Sequence, residues 1–132
     1  GEYHRRFTAL AVILLRDVPE TNSGNFTVWP GSHRFHENYF RTHGHAVLAN
    51  GQPPVQDQLP HPAHQITGRA GDVIFAHFLL QHTAAPNVSP NIRYAAIFRA
   101  HHSDVKTNAE QCYTDIWREF EGIEQTPQPQ HA

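Results

Sequence analysis

The chain alternates between short apolar runs and polar segments rich in turn-forming residues. Each run has the length of a β-strand, contains Val, Ile or aromatic residues, and is followed by residues that commonly end strands. This pattern predicts four strands, at residues 7–15, 25–29, 72–80 and 92–100. From the spacing of apolar residues in these runs we expect seven side chains to be largely buried, namely Val12, Ile13, Leu14, Ile74, Phe78, Ala96 and Phe98.

Two segments have helical patterns. Residues 32–44, "SHRFHENYFRTHG", carry aromatic residues at helical spacing, with Ser32 as the expected N-cap and Gly44 as the stop. Residues 108–123, "NAEQCYTDIWREFEGI", predict a second helix. Residues 46–65 contain four prolines and no periodicity, so we expect a long surface loop of the kind that forms lids over binding sites.

Short strands between turn-rich loops, with one or two helices, favour a mainly β fold over a parallel α/β fold. A β-sandwich or jelly roll is the expected architecture. The length of 132 residues fits one domain, which we assign to residues 1–124. Residues 125–132 form a polar tail rich in Pro and Gln that does not match a strand or a helix.

Composition excludes several functional classes. The net charge is −2 and the chain has no run of Lys or Arg, which argues against a nucleic-acid partner. A single cysteine excludes an internal disulfide and a Cys-based zinc site, and it fits the cytoplasm. The longest apolar run, residues 9–15, is too short to cross a bilayer, so we expect no membrane span.

Two features of the composition are unusual. The chain has 12 histidines, which favours a metal site. It has no methionine and begins at Gly1 with a polar segment, so we expect either the interior of a longer protein or a processed start, and we favour a truncated chain. Such a piece would leave a strand edge uncovered, and we expect a tendency to self-associate.

The third and fourth predicted strands bring two chemically informative residues together. His82 follows one apolar run, Arg93 begins the next, and a turn with Pro and Asn lies between them. We expect a hairpin that places the two side chains next to each other. A neutral imidazole binds metals, and a guanidinium grips a carboxylate with two parallel hydrogen bonds. The pair would suit a small diacid that chelates a metal. Taken alone, His82 also fits a structural role, and Arg93 also fits a position on an edge strand or an ion pair with Asp72.

Three stretches of the chain resemble the phytanoyl-CoA dioxygenase-like branch of the Fe(II)/2-oxoglutarate-dependent oxygenases. They are "SGNFTVWPGSHR" at 23–34, "GRAGDVIFAHFLLQHTAAPNVSPNIRYAAIFR" at 68–99 and, more loosely, "TDIWREFEGI". The resemblance implies a jelly-roll core with Fe(II) and 2-oxoglutarate as co-substrate. It also implies that His82 is the distal iron ligand and that Arg93 binds the far carboxylate of 2-oxoglutarate. Thr27 and Trp29 would line the pocket.

The sequence departs from the family pattern at the other iron ligands. The family holds iron with a His-x-Asp motif upstream of the strand matched here by residues 7–15, and no such motif precedes Phe7. The single His-x-Asp, His102 to Asp104, lies downstream of Arg93. We expect the intact protein to be an oxygenase of a small organic substrate, with this chain alone inactive. Two alternatives are a jelly-roll binding module without an iron site and a cupin-like enzyme with several imidazoles around His82.

Overall fold

Two antiparallel sheets of three strands each form the structure, a computed structural model that describes residues 7–44 and 58–123. In chain order its elements are β1 (Ala9–Leu14), β2 (Phe26–Val28), α1 (Ser32–His43), β3 (His64–Gln65), β4 (Val73–His77), β5 (His82–Ala84), β6 (Ala95–Ala100) and a 3-10 turn (Gln111–Tyr113). The four predicted strands and the first helix are therefore confirmed. Most of the expected lid and the expected tail lie outside the described residues.

The strands alternate between the sheets in the manner of a jelly roll. The first sheet has the order β4-β1-β6 and the second has the order β3-β2-β5, so four of the five connections between successive strands cross from one sheet to the other. All pairs are antiparallel. The mainly β, jelly-roll-like fold expected from the sequence is confirmed. No helix within residues 7–44 and 58–123 is long and apolar enough to cross a membrane.

The core lies between the two sheets. Since side chains alternate between the faces of a strand, every second residue of β1 points inward. Leu10 and Val12 pack there against Phe26 and Val28 of the second sheet and against Ala76. The register pairs Val12 with Ile74 on one side and with Ile97 on the other. Residues 95, 97 and 99 of β6 therefore belong to the inner face.

Burial agrees with the sequence pattern in the middle of the first sheet and departs from it at β6. Val12 and Leu14 are buried, and the intermediate positions are Ile13, Ile74, Phe78 and Ala96. The prediction for Phe98 is wrong, because its side chain is 57% exposed. Phe98 lies opposite Ala11 on the outer face of the sheet, and the C-terminal segment packs against the other end of that face, around His77.

The predicted hairpin between His82 and Arg93 is also wrong. β4 ends at His77, and His82 begins a separate strand in the second sheet, opposite Val28. The strand that follows Arg93 pairs with β1 in the first sheet. The apolar run breaks because the imidazole of His77 accepts a hydrogen bond from the Leu79 amide and closes a tight turn, which carries the chain to the other sheet.

Residues 108–123 do not form the predicted helix; they form turns around the short 3-10 segment. Ile116 explains the difference. Its amide donates to the buried carboxylate of Glu37, and its carbonyl accepts from His77, so both backbone groups bond to other elements instead of to a helical ladder. The hydroxyl of Thr8 also donates to Glu119, at 2.6 Å. Tertiary contacts therefore override the local helical preference.

The helix α1 begins differently from the prediction and ends as predicted. Ser32 is not the N-cap; Gly31 holds that position in the left-handed conformation, with φ of 77°. A side chain at residue 31 would approach Pro60 to 3.3 Å, so glycine suits the site for two reasons. The hydroxyl of Ser32 instead accepts a hydrogen bond from the amide of Gln81, the residue before His82. Gly44 is the C-cap, as expected.

The core predicts a clear contrast between two valines of the first sheet. Val12→Ala should lower the free energy of unfolding by about 2 kcal/mol, because the side chain is fully buried and its loss leaves a cavity. Val73→Ala, at a position 58% exposed, should change it by only about 0.5 kcal/mol. Urea denaturation followed by circular dichroism measures both. Equal losses would contradict this placement of the core.

Candidate functional site

His82 lies on the inner face of the second sheet. It pairs with Val28 across the β2–β5 ladder, and residues directly opposite in an antiparallel pair point to the same side. Its ring stacks on Phe26, with the ring centroids 5.3 Å apart and the planes 29° apart. Phe26 and Val28 both belong to the core. His82 is half-buried and faces the space between the sheets.

The two nitrogens of the His82 ring have different surroundings. Nδ1 lies 2.8 Å from the carbonyl oxygen of Leu80, a group that only accepts hydrogen bonds. The ring therefore carries its proton on Nδ1, which leaves the Nε2 lone pair free. Histidines that bind metals usually have their second nitrogen fixed in this way by a backbone carbonyl. The geometry suits His82 as a ligand through Nε2.

Arg93 lies on the inner side of the first sheet, just before β6. Ala95 pairs with Leu14 and packs against the core, and Arg93 is two residues earlier on the same face. Its side chain passes over Gly24, where an added Cβ would lie 3.3 Å from the Cβ of Arg93. The backbone at Gly24 is left-handed, with φ of 74°. Glycine at this position thus permits the close approach of Arg93.

Within the described ranges, no acceptor forms a hydrogen bond or an ion pair with the Arg93 guanidinium. Arg93 lines a cleft of about 150 Å³ together with Asp17, Glu20 and Asn91, among others. Neither carboxylate pairs with it, and Asp17 instead accepts the amide of Ala70. The alternative partner Asp72 accepts the amide of Arg69 at 2.7 Å and stabilises its own turn. The guanidinium of the half-buried Arg93 is therefore the group in this cleft that could bind a carboxylate.

The two candidate residues lie on sheets that face each other, with His82 opposite Val28 and Arg93 just before β6. His82 stacks on Phe26, and Arg93 lies over Gly24, two residues earlier in the chain. Two residues of extended chain correspond to about 7 Å. The sequence assigned the wrong connection between them, because the two residues lie on different sheets and not on one hairpin.

Thr27 and Trp29 do not share the inner face with His82. Thr27 alternates with Phe26 and Val28, so its side chain points to the opposite side of the second sheet. It is buried there, and its hydroxyl donates to the carbonyl of Asn25. Trp29 lies beyond the end of β2, where its amide donates to the carbonyl of Gln81.

Several residues that the sequence reasoning passed over surround the site. Asn25, which is 1% exposed, donates to the carbonyls of Glu20 and Ile66 and accepts the amide of Ser23, so it fixes the chain around Gly24. On the other side, Ser32 and His36 contact Gln81. They lie four residues apart on the buried face of α1. The spacing of these two polar residues on one helix face was the available signal.

The other histidines that the structure describes do not form a metal-binding group with His82. In the part of the chain that the structure describes, no group of three or more His, Cys, Asp or Glu residues is placed to hold a metal ion. The cupin-like alternative, which requires several imidazoles around His82, is therefore wrong for these residues. His102 and Asp104 contact each other, because the Asp104 amide donates to the His102 ring. His77 has a structural role in the turn after β4.

Two histidines of α1 have shifted pKa values. Burial lowers the pKa of His33 below 6.5, and the neighbouring Arg34 lowers it further. Burial also lowers the pKa of His36, although its bond with Gln81 acts in the opposite direction. The ring of His33 packs on Trp117, and that of His36 packs on Phe40. Both rings are therefore neutral at pH 7.

The fold and the site define a jelly-roll protein with an imidazole and an unpaired guanidinium on facing inner surfaces. The family model of phytanoyl-CoA dioxygenase (PhyH) matches residues 2–95. The match includes His82 and Arg93 and spans more than half of the chain, and the chain belongs to this family. Comparison with curated proteins and with solved structures found no match.

The two shifted histidines predict that acid destabilises the fold. Unfolded histidine takes up a proton near pH 6.5, whereas His33 and His36 do so only at lower pH. The unfolded state therefore binds more protons in this window, and stability falls as the pH drops from about 7.5 to about 5.5. Urea denaturation at both pH values measures the loss. In a His33→Gln, His36→Gln variant the loss should be smaller, and an unchanged loss would contradict the assignment.

Proposed function

We propose that this chain forms the part of an Fe(II)/2-oxoglutarate-dependent oxygenase that holds the co-substrate and one side of the metal. The family belongs to that superfamily, and the intact enzyme would hydroxylate a small organic substrate. The observation that carries the proposal is the arrangement of His82 and Arg93 on facing inner surfaces, one with a free Nε2 and the other without an acceptor among the described residues.

The described residues supply one ligand for the metal. His82 offers an oriented imidazole, and no second or third donor accompanies it in the described ranges. We propose that a histidine and a carboxylate from outside the described residues complete the two-histidine, one-carboxylate set. The exposure of Ile97 supports an additional covering segment, because this inner-face residue pairs with fully buried Val12 yet is 56% exposed. When bound, iron would supply the oxidising chemistry of the family.

In this proposal Arg93 binds the far carboxylate of 2-oxoglutarate. A guanidinium offers two parallel N–H donors to a carboxylate, and desolvation strengthens such a contact. Its packing over Gly24 would hold the guanidinium in place for that carboxylate. His82 then holds the metal from the opposite sheet.

The alternative is a binding module that uses the same interior without catalysis. It is favoured by the single metal donor in the described part of the chain. The two functions differ in their dependence on metal. An oxygenase consumes 2-oxoglutarate and releases succinate only with Fe(II), and His82→Ala should abolish that release in the full-length protein. A binding module would bind its ligand equally well without metal.

The first prediction of the proposed function concerns Arg93. Arg93→Ala should weaken 2-oxoglutarate binding by about 2–5 kcal/mol, because the carboxylate would be desolvated without a partner. Arg93→Lys should restore little, since an ammonium lacks the planar two-point grip. Calorimetric titration of 2-oxoglutarate into the full-length protein with Mn(II) measures the affinity. Arg99→Ala is the control, because Arg99 packs over the Phe7 ring. Equal affinities for Arg93→Ala and Arg99→Ala would refute the assignment.

A second prediction concerns Gly24. In Gly24→Ala the new methyl group should displace the Arg93 side chain and weaken 2-oxoglutarate binding several-fold, in addition to a strain of about 1–2 kcal/mol from the left-handed backbone. Gly44→Ala is a matched control, because Gly44 has nearly the same φ, 73°, and nothing within 4 Å of an added Cβ. Both variants should lose stability. If both also bind 2-oxoglutarate like the parent, the contact with Arg93 is not functional.

A further inference from the structure

Gln81, the residue directly before His82, is held at three points by one short segment. Its amide donates to the hydroxyl of Ser32 at 2.9 Å, and its carbonyl accepts the amide of Trp29 at 3.0 Å. Its side-chain oxygen lies 3.1 Å from Nε2 of His36. We name Ser32, His36 and Gln81 the Gln81 latch. We propose that Ser32 and His36 are positioning residues that orient the His82 ring for metal binding, an inference that rests on the proposed function.

Ser32 binds the backbone of Gln81. Its side chain is fully buried although it is polar, and its hydroxyl bonds to the Gln81 amide instead of capping the helix. The turn before it is fixed independently, because the Ser32 amide donates to the Trp29 carbonyl. Trp29 and Ser32 therefore hold the two backbone groups of Gln81 from the same turn. Removing the hydroxyl would leave the partly buried Gln81 amide unpaired.

His36 fixes the side chain of the same residue. The amide oxygen of Gln81 only accepts hydrogen bonds, so the neutral ring of His36 donates from Nε2. The ring itself is buried and packs between Phe35 and Phe40. A buried, packed donor of this kind allows Gln81 little freedom to rotate.

The latch acts on His82 through three successive residues. Nδ1 of His82 donates to the carbonyl of Leu80, so the orienting bond spans Gln81. A shift of the Gln81 backbone would change the distance between Leu80 and His82 and release the ring. The ring would then lose its fixed tautomer and the direction of Nε2. Outer partners of metal ligands generally affect metal affinity in this way.

The experiment compares matched pairs of variants in the full-length protein. Ser32→Ala removes the hydroxyl and Ser32→Thr keeps it; His36→Leu removes the ring donor and His36→Gln keeps a donor. Thr42→Ala and His43→Leu are controls on the same helix, because these side chains bond to the carbonyls of Asn38 and Tyr39. The two pairs are independent, so the latch is tested even if one buried substitution prevents folding.

Two measurements are made on each folded variant. Long-range proton–nitrogen NMR of the metal-free protein reports the tautomer of His82, whose signal is identified by its loss in His82→Gln. Titration with Co(II), followed by absorption, reports the metal affinity. In Ser32→Ala and His36→Leu we expect a mixture of His82 tautomers and Co(II) binding weakened about tenfold. Ser32→Thr, His36→Gln and both controls should keep the parent signal and affinity.

The outcomes separate the latch from the proposed function. If Ser32→Ala and His36→Leu fold and keep the parent tautomer and Co(II) affinity, the latch is overturned while the proposed function stands. If His82→Gln leaves Co(II) affinity unchanged, His82 is not a ligand and the proposed function fails. In that case an altered His82 tautomer in Ser32→Ala still supports the latch, and an unaltered one overturns it.

Discussion

The crossing from β4 to β5 is the constraint on which the rest of the structure depends. Between His77 and His82 the chain leaves one sheet and enters the other through a partly buried turn, where backbone polar groups must find partners. The His77 ring accepts the Leu79 amide, the His77 carbonyl accepts the Leu80 amide, and Ser32 accepts the Gln81 amide. Because these bonds fix the turn, β5 enters the second sheet in the register that points His82 inward. The same turn binds Ile116 through His77 and so anchors the C-terminal segment.

The sequence predicted the elements whose signal is local. β1 is apolar along its length and lies in the middle of its sheet, and α1 ends at a glycine with a left-handed backbone. It did not predict pairing, because a run of apolar residues has the same pattern whether it continues straight or turns after His77. It also placed a helix at residues 108–123, where the backbone of Ile116 bonds to Glu37 and His77 instead. Phe98 lies in an apolar run that is typical of a buried strand. Its exposure depends on which parts of the outer face of the sheet are covered, and the sequence does not show this.

The residues of the candidate site also fall into two groups, those with a local signal in the sequence and those without one. His82 and Arg93 were found because their chemistry is unusual next to apolar runs, and this signal does not depend on knowing the topology. Gly24, Asn25, Ser32 and His36 were not assigned to the site, because each acts on a residue that is distant in sequence. Ser32 was interpreted as a helix cap, which is the commonest role of serine before a helix. Its hydroxyl bonds to Gln81 instead, 49 residues away, and only the fold brings the two together.

Two charged residues of the described structure, Glu37 and Arg93, differ in how their charges are satisfied. Glu37 is 2% exposed and is satisfied within the protein, since its carboxylate pairs with Arg41 at 2.8 Å and Arg34 at 3.4 Å. The fold can therefore supply counter-ions where a charge is needed for structure. Arg93 is only half-buried, and acidic side chains lie in the same cleft, yet none of the described residues forms an ion pair with it. Gly24, held by Asn25, keeps the space next to Arg93 open at the cost of a left-handed backbone. Among the described residues, the Arg93 side chain is therefore positioned by its packing over Gly24 and not by an ion pair.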